Sequence, residues 1–349
     1  MSEVKPGYGR PLDFKNGSVD MSHGAGGRAM AQLIDELFVQ AFDNEWLRQM
    51  NDQACFAVPA GRMVMSTDSH VVSPLFFPGG DIGSLCVHGT INDVAMSGAR
   101  PLYLAAGFIL EEGFPLPDLK RIVQSMAGAA QDAGVAVITG DTKVVERGKG
   151  DGVFITTTGV GVVPPGVEIS GDRARPGDRV IVSGNIGDHG VAIMSFRENL
   201  SFGTTIRSDT AALHELVAAM LKAAPGIRCL RDPTRGGLAT TLNEFARQSG
   251  VGMRIVESAI PVRAQVSAAC ELLGLDPLYV ANEGKLVAVC PQRDAERLVA
   301  AMRAHPLGRD AAQIGEITED PQRFVQMQTA FGGMRMVDWL AGEQLPRIC

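Results

Sequence analysis

Apolar side chains at Met30, Leu33, Ile34, Leu37, Phe38, Ala41 and Phe42 recur at helical spacing. They predict an amphipathic helix directly after a glycine run, His23-Gly24-Ala25-Gly26-Gly27. From Cys55 onward the pattern shortens into strands. Residues 62–67 form a strand that runs straight into Asp68, residues 83–97 read as a helix, and Pro101 restarts the chain toward a strand at 103–109. Residues 119–133 form a helix ended by Gly134. A buried strand at 135–139 leads into Gly140-Asp141-Thr142-Lys143, and 153–163 is a Thr/Val-rich strand. Pro164-Pro165-Gly166 then divides the chain. Beyond it the pattern predicts strands at 179–183, 252–255 and 285–289 and helices at 210–223, 238–248, 266–273 and 294–303. The expected organisation is an N-terminal domain over 1–163, with a mobile glycine-containing start, a C-terminal domain over 164–331 and a flexible tail over 332–349. Strands followed by helices in both halves argue for two α/β or α+β domains.

Composition narrows the function. Hydrophobic residues make up 45% of the 349 and charged residues 20%, enough for a core and against disorder. With 32 basic and 39 acidic residues the net charge is −7, which does not suit a nucleic-acid binder. A phosphate ligand would need a local device: glycine amides, a metal or a single lysine. No apolar stretch is long enough to span a membrane, and the first residues lack the apolar core of a signal peptide. The expected location is cytoplasmic. Six scattered cysteines contain no CxxC pair, and Cys270 and Cys290 lie in apolar contexts.

Four aspartates sit at the edges of regular elements beside small or turn residues: Asp68, Asp93, Asp141 and Asp232. Carboxylates gathered at strand ends suit Mg2+, which takes oxygen ligands and bridges them to phosphates. Each alone also fits a helix or turn cap. Lys143 could act as a point charge on a phosphate, or be a solvated lysine. The loop around His23, Gly24, Gly26 and Gly27 opens a helix, where amides and dipole favour an anion. It is neither a P-loop nor a Rossmann turn. Gly184-Asn-Ile-Gly187-Asp-His-Gly190 reads foremost as a structural glycine turn. Cys349 is the last residue, placed to visit another protein and return. Its α-carboxylate should raise the thiol pKa and Arg347 should lower it. The alternative is an unremarkable free thiol.

Taken together, several segments resemble the HypE family of nickel–iron hydrogenase maturation factors. They are the run from Asp68-Ser-His-Val-Val-Ser-Pro to Gly83, Gly89-Thr-Ile-Asn-Asp-Val-Ala-Met-Ser-Gly-Ala, Gly140-Asp-Thr-Lys-Val-Val, Arg231-Asp-Pro-Thr-Arg-Gly-Gly-Leu-Ala, Ala281-Asn-Glu-Gly and the terminal Pro-Arg-Ile-Cys. The resemblance spans about His23 to Cys349. It implies the two-domain α+β fold of the aminoimidazole ribonucleotide synthetase superfamily, with an N-terminal domain that forms a β-barrel across a homodimer. It implies ATP and Mg2+ in the cleft under the glycine loop, with Asp68, Asp93, Asp141 and Asp232 as candidates for the Mg-phosphate site. Lys143 and Glu283 would act on Cys349, carbamoylated on sulfur by the carbamoyltransferase HypF. ATP-dependent dehydration would leave a thiocyanate whose cyano group passes to iron on a HypC–HypD complex. His70 departs from the family pattern, where Phe or Tyr is expected. Two rivals stand beside this expectation. A small-molecule synthetase such as a selenophosphate synthetase would carry a reactive Cys near the glycine loop, and residues 16–30 contain none. A non-catalytic thiol carrier would not bind ATP.

Overall fold

The computed structural model describes residues 10–198, 206–340, 342 and 347–349. The start of the chain and part of the expected tail, including Leu345 and Pro346, lie outside the described residues.

In the N-terminal half, strands β1 (Arg62–His70), β4 (Arg100–Glu111), β5 (Ala136–Val145) and β6 (Val153–Val163) form a sheet ordered β1-β6-β4-β5. A two-stranded ribbon, β2 (Phe76–Phe77) and β3 (Gly80–Asp81), precedes the helix Ile82–Ala95. That helix starts on a capping box: the Asp81 carboxylate accepts from the Ser84 amide and the Ser84 hydroxyl accepts from the Asp81 amide. The helix is buried on nearly all sides, so it has no amphipathic stripe. The sheet is stitched to it through Thr157, whose hydroxyl lies 2.6 Å from that of Thr90 and donates to the Cys86 carbonyl at 2.9 Å. Helix Leu116–Asp132 makes the crossover between the parallel strands β4 and β5. The helices cover one sheet face only. The other presents Met63, Met65 and Ile109 to solvent, Met65 at 71% exposure.

After Val163 the chain enters a mixed seven-stranded sheet. Its strands are β7 (Arg179–Val182), β8 (Cys229–Arg231), β9 (Gly252–Val256), β10 (Val287–Cys290), β11 (Ala312–Thr318), β12 (Val325–Gln328) and β13 (Met334–Met336). Their order is β13-β12-β9-β11-β7-β10-β8, antiparallel except for β12 with β9. Side chains alternate between two cores: Val180 and Val182 pack toward helix Gly237–Ser249, while Ile181 packs toward helices His214–Ala223 and Gln292–Ala304. Strands buried on both faces read as short continuous apolar runs.

Three local expectations change. Strand β5 continues through Asp141 and Lys143 instead of ending before them. The Gly184 loop is the structural turn expected, but Gly187, at φ +88°, leads into helix Asp188–Arg197, which the pattern did not predict because its buried face wraps most of it. The segment expected as a mobile tail supplies edge strand β13, and Ile348 near its end is buried in the N-terminal core.

Candidate active site

Asp68 lies near the end of β1, on the face turned to the helices, because β1 alternates. Buried His70 places Nε2 3.3 Å from Asp68 Oδ2. Gly89 makes room for this pair: a side chain there would meet His70 Nε2 at 3.0 Å. Asp93 comes from the facing helix, and its Oδ2 accepts from Ser66 Oγ at 2.7 Å. Asp232 follows β8 in a loop that enters helix Gly237–Ser249. Gly237, at φ +60°, is pressed against the Leu278 and Val280 carbonyls, 2.6 and 2.7 Å from where a Cβ would stand. Only glycine fits that turn.

Glu283 is 3% exposed, and its Oε1 has no hydrogen-bond partner. Its backbone is held from three directions. The Glu283 amide donates to Asp209 Oδ1 at 3.1 Å, and its carbonyl accepts from Asn92 Nδ2 at 3.1 Å. The preceding Asn282 donates to the Pro233 carbonyl at 2.8 Å and accepts from the Gly187 amide at 2.7 Å. Asp209 is itself paired with Lys285 at 3.1 Å, a buried ion pair behind the site.

Electrostatics tie these groups to Cys349. Burial pushes the Glu283 carboxyl well above its usual range, with Asp232, Asp209, Asp68 and Asp93 adding repulsion. Asp232 is raised to about 7, by burial and then by Asp93 and Asp68. Asp93 is raised by burial and Asp68, against the Ser66 hydrogen bond and the guanidinium groups of Arg231 and Arg235. The Cys349 thiol is raised by burial and by Glu283, Asp68 and Asp232, with Arg235 opposing. Asp68, Asp93, Asp232, Glu283 and Cys349 are therefore near enough for their charges to act on one another along a connected chain of pairs. Perturbed carboxylates of this kind cluster where charge is to be bound or protons moved.

Asp141 and Lys143 are elsewhere. They pair with each other at 2.6 Å on exposed β5, and the Lys143 hydrogen bond holds the Asp141 carboxyl below its usual range. Register runs Asp68–Thr157–Ala106–Gly140, so Asp141 is one residue off that row, on the bare face. Three strand spacings put it about 14 Å from Asp68. The glycine loop belongs with them: Gly24 abuts Val144, whose amide nitrogen would lie 2.8 Å from a Cβ at that position. Open space faces Gly26 and Gly27. His23 is buried, and its Nδ1 accepts from the Asp20 amide at 3.0 Å, a local capping role. Beside this group lies a cavity of about 500 Å³ lined by Met30, Phe38, Trp46, Phe108, Thr139 and Asp141. Among the described residues, no three His, Cys, Asp or Glu side chains converge tightly enough to hold a metal unaided.

Models of the AIR synthase related protein family match this chain, the N-terminal domain over residues 50–163 and the C-terminal domain over 175–328. Carbamoyl dehydratase HypE of Cupriavidus necator is 75% identical over 347 residues, covering 99% of each chain. The chain belongs to the HypE family. A crystal structure of the hydrogenase maturation protein HypE in complex with ATP superposes with a TM-score of 0.92 at 50% identity, covering 95% of this chain and 99% of that one. HypE in a HypE–HypF complex superposes at 0.78 and 50% identity, covering 88% and 99%. In this HypE-family chain, Asn92, Asp209, Asn282 and Lys285 support the pocket without having been singled out. Asn92 and Asn282 each adjoin a residue that was, inside Ile-Asn-Asp-Val and Ala-Asn-Glu-Gly, and that adjacency was the available signal. No helix among the described residues is long and apolar enough to cross a membrane.

Proposed function

We propose that this chain is an ATP-dependent carbamoyl dehydratase that works in the cytoplasm on its own Cys349, turning an S-carbamoyl group into a thiocyanate. The observation that carries this reading is that the terminal sulfur is buried within electrostatic reach of Glu283, Asp68 and Asp232, with Asp93 acting in turn on Glu283 and Asp232. The carbamoyl oxygen is a poor leaving group. Its attack on the γ-phosphorus of ATP releases ADP and makes that oxygen part of a phosphate. The nitrogen then gives up its protons, the C–O bond breaks, phosphate departs and the C≡N bond is complete. Glu283 is the candidate base: burial raises its carboxyl well above the usual range, which makes the carboxylate a stronger base, and Oε1 has no competing partner.

The mutually repelling carboxylates fit a divalent cation. Asp68, Asp93 and Asp232 would hold Mg2+ together with the phosphates, since Mg2+ is commonly bound by few carboxylates plus substrate oxygens. The ion would supply neutralisation of the phosphoryl charge.

The group on β5 enters through a second copy in this reading. A homodimer formed by the bare sheet faces would close a barrel, bury Met63, Met65 and Ile109, and present the second copy's Asp141, Lys143 and glycine loop, with the adjoining cavity, to nucleotide. HypF is the proposed carbamoyl donor, in keeping with the HypE–HypF complex of the similar protein. The proposed cyanide acceptor is iron on a HypC–HypD complex. Intact-mass analysis after incubation with ATP, carbamoyl phosphate and the carbamoyltransferase tests the proposal. It should show carbamoyl addition at Cys349 and then loss of one water. Cys349→Ala should abolish both, and cyanated product from that variant would refute the reading.

A further inference from the structure

The last three residues run antiparallel to residues 71–73. The Val71 amide donates to the Cys349 carboxylate and the Ser73 amide to the Arg347 carbonyl, both at 3.1 Å. Between these bonds the Ile348 side chain turns into the N-terminal core at 3% exposure. Its carbonyl points the other way, to the Nε2 of fully buried His189 at 2.8 Å. Arg197 adds a clamp, donating to the Arg347 carbonyl at 3.0 Å and to the Ser73 carbonyl at 2.6 Å. The Arg347 side chain donates to the Val71 carbonyl at 3.2 Å and forms an ion pair with Asp151. The Arg347 and Ile348 carbonyls and one oxygen of the Cys349 carboxylate each accept a hydrogen bond, and two of the tripeptide's side chains are read.

His189 is held for this task. The Thr210 amide donates to Ser208 Oγ at 3.1 Å, and Ser208 Oγ lies 2.8 Å from His189 Nδ1. Burial keeps the ring neutral, against Asp209 and the bond to Ile348. A neutral ring that donates from Nε2 to a carbonyl must accept at Nδ1, so the Ser208 hydroxyl fixes the tautomer. The neighbouring Asp209 carries the Glu283 amide, so one short segment orients both the tail and the acid that faces its sulfur.

We propose that this groove is a sequence-reading receptor for a C-terminal Arg-Ile-Cys peptide. His189 and Arg197 are positioning residues that set the sulfur beside Glu283, and Asp151 selects the basic residue two places before the cysteine. The mechanistic consequence rests on the dehydratase reading above, but occupancy of the groove does not. The test reads occupancy as the alkylation rate of Cys349 by iodoacetamide, measured on the C-terminal peptide of the full chain. A Cys55→Ser background serves, because the other cysteines are buried.

Ile348→Asp and His189→Leu should each speed alkylation by about tenfold or more, as expected when a buried contact or a hydrogen bond with a fixed partner is lost. His189→Gln, which keeps a donor, should stay near the parent rate. Asp151→Arg should raise the rate a few-fold, in line with an exposed ion pair. Adding Arg347→Asp to it should restore protection. Ile348→Asp lies at the chain end, so the result does not depend on His189→Leu folding. Equal rates in the parent, Ile348→Asp and His189→Leu overturn the receptor, whatever the dehydration assay shows. A protected tail that is never dehydrated leaves the receptor standing and removes the dehydratase reading instead.

Discussion

Replacing Asp232 with Asn should make the protein more stable and inactive together. The carboxyl is raised from 3.8 to about 7 because folding strips its water and sets Asp93 and Asp68 against it. The folded state thus holds a proton that the unfolded state releases from about pH 4 upward. Above pH 7 the group ionises in both states, and the folded state carries a penalty of at most about 4 kcal/mol, at 1.36 kcal/mol for each tenfold change in proton affinity. Part of that penalty belongs to Asp93, which shares the repulsion, so a gain of about 2–3 kcal/mol is expected from Asp232→Asn at pH 8 without nucleotide or metal. The gain should shrink as pH falls through 7 and vanish near pH 4, where wild-type Asp232 is protonated in both states. Urea unfolding followed by circular dichroism at pH 5, 6.5 and 8 measures it. A variant no more stable than wild type at pH 8, or a gain independent of pH, would refute the idea that the pocket stores electrostatic repulsion.

Glu283→Gln should slow dehydration by about 10²–10⁴-fold, the usual contribution of a general base, so that carbamoylated C-terminal peptide accumulates in mass spectra. Unimpaired dehydration would remove Glu283 from the chemistry. Lys285→Met should destabilise by about 3–5 kcal/mol, because it strands the buried Asp209 carboxylate; denaturation curves should recover most of that loss when Asp209→Asn is added. Met65→Glu places a charge on the bare sheet face, and sedimentation should then report a monomer for the variant and the proposed dimer for the parent.

Much of the pocket was legible because its residues adjoin backbone that needs unusual sequence. Asp232 precedes a Gly-Gly turn that only glycine can make, and Asp93 and Glu283 each follow an asparagine used as a clamp. The terminal position of Cys349 was legible, but its docking was not. His189 and Ile348 are 159 residues apart, and no local pattern links them. Asp141 and Lys143 carried the same local signature as Asp68, yet strand register sets them three strands away on the opposite face. Among the elements, the amphipathic helices and the long strands were clear. Strands β8, β12 and β13, three or four residues each, are too short to show an alternation, and helix Asp188–Arg197 is too evenly buried to show a stripe.

The raised thiol of Cys349 bears on how such a residue survives in a cell. Oxidants, soft metals and electrophilic metabolites all attack the deprotonated sulfur, and burial, aided by the surrounding carboxylates, disfavours that form while the tail is docked. The same negative surroundings that would suit a divalent cation therefore act as a safety catch on a nucleophile. In the proposed reaction its full reactivity would return only once the tail had left this site for the carbamoyltransferase.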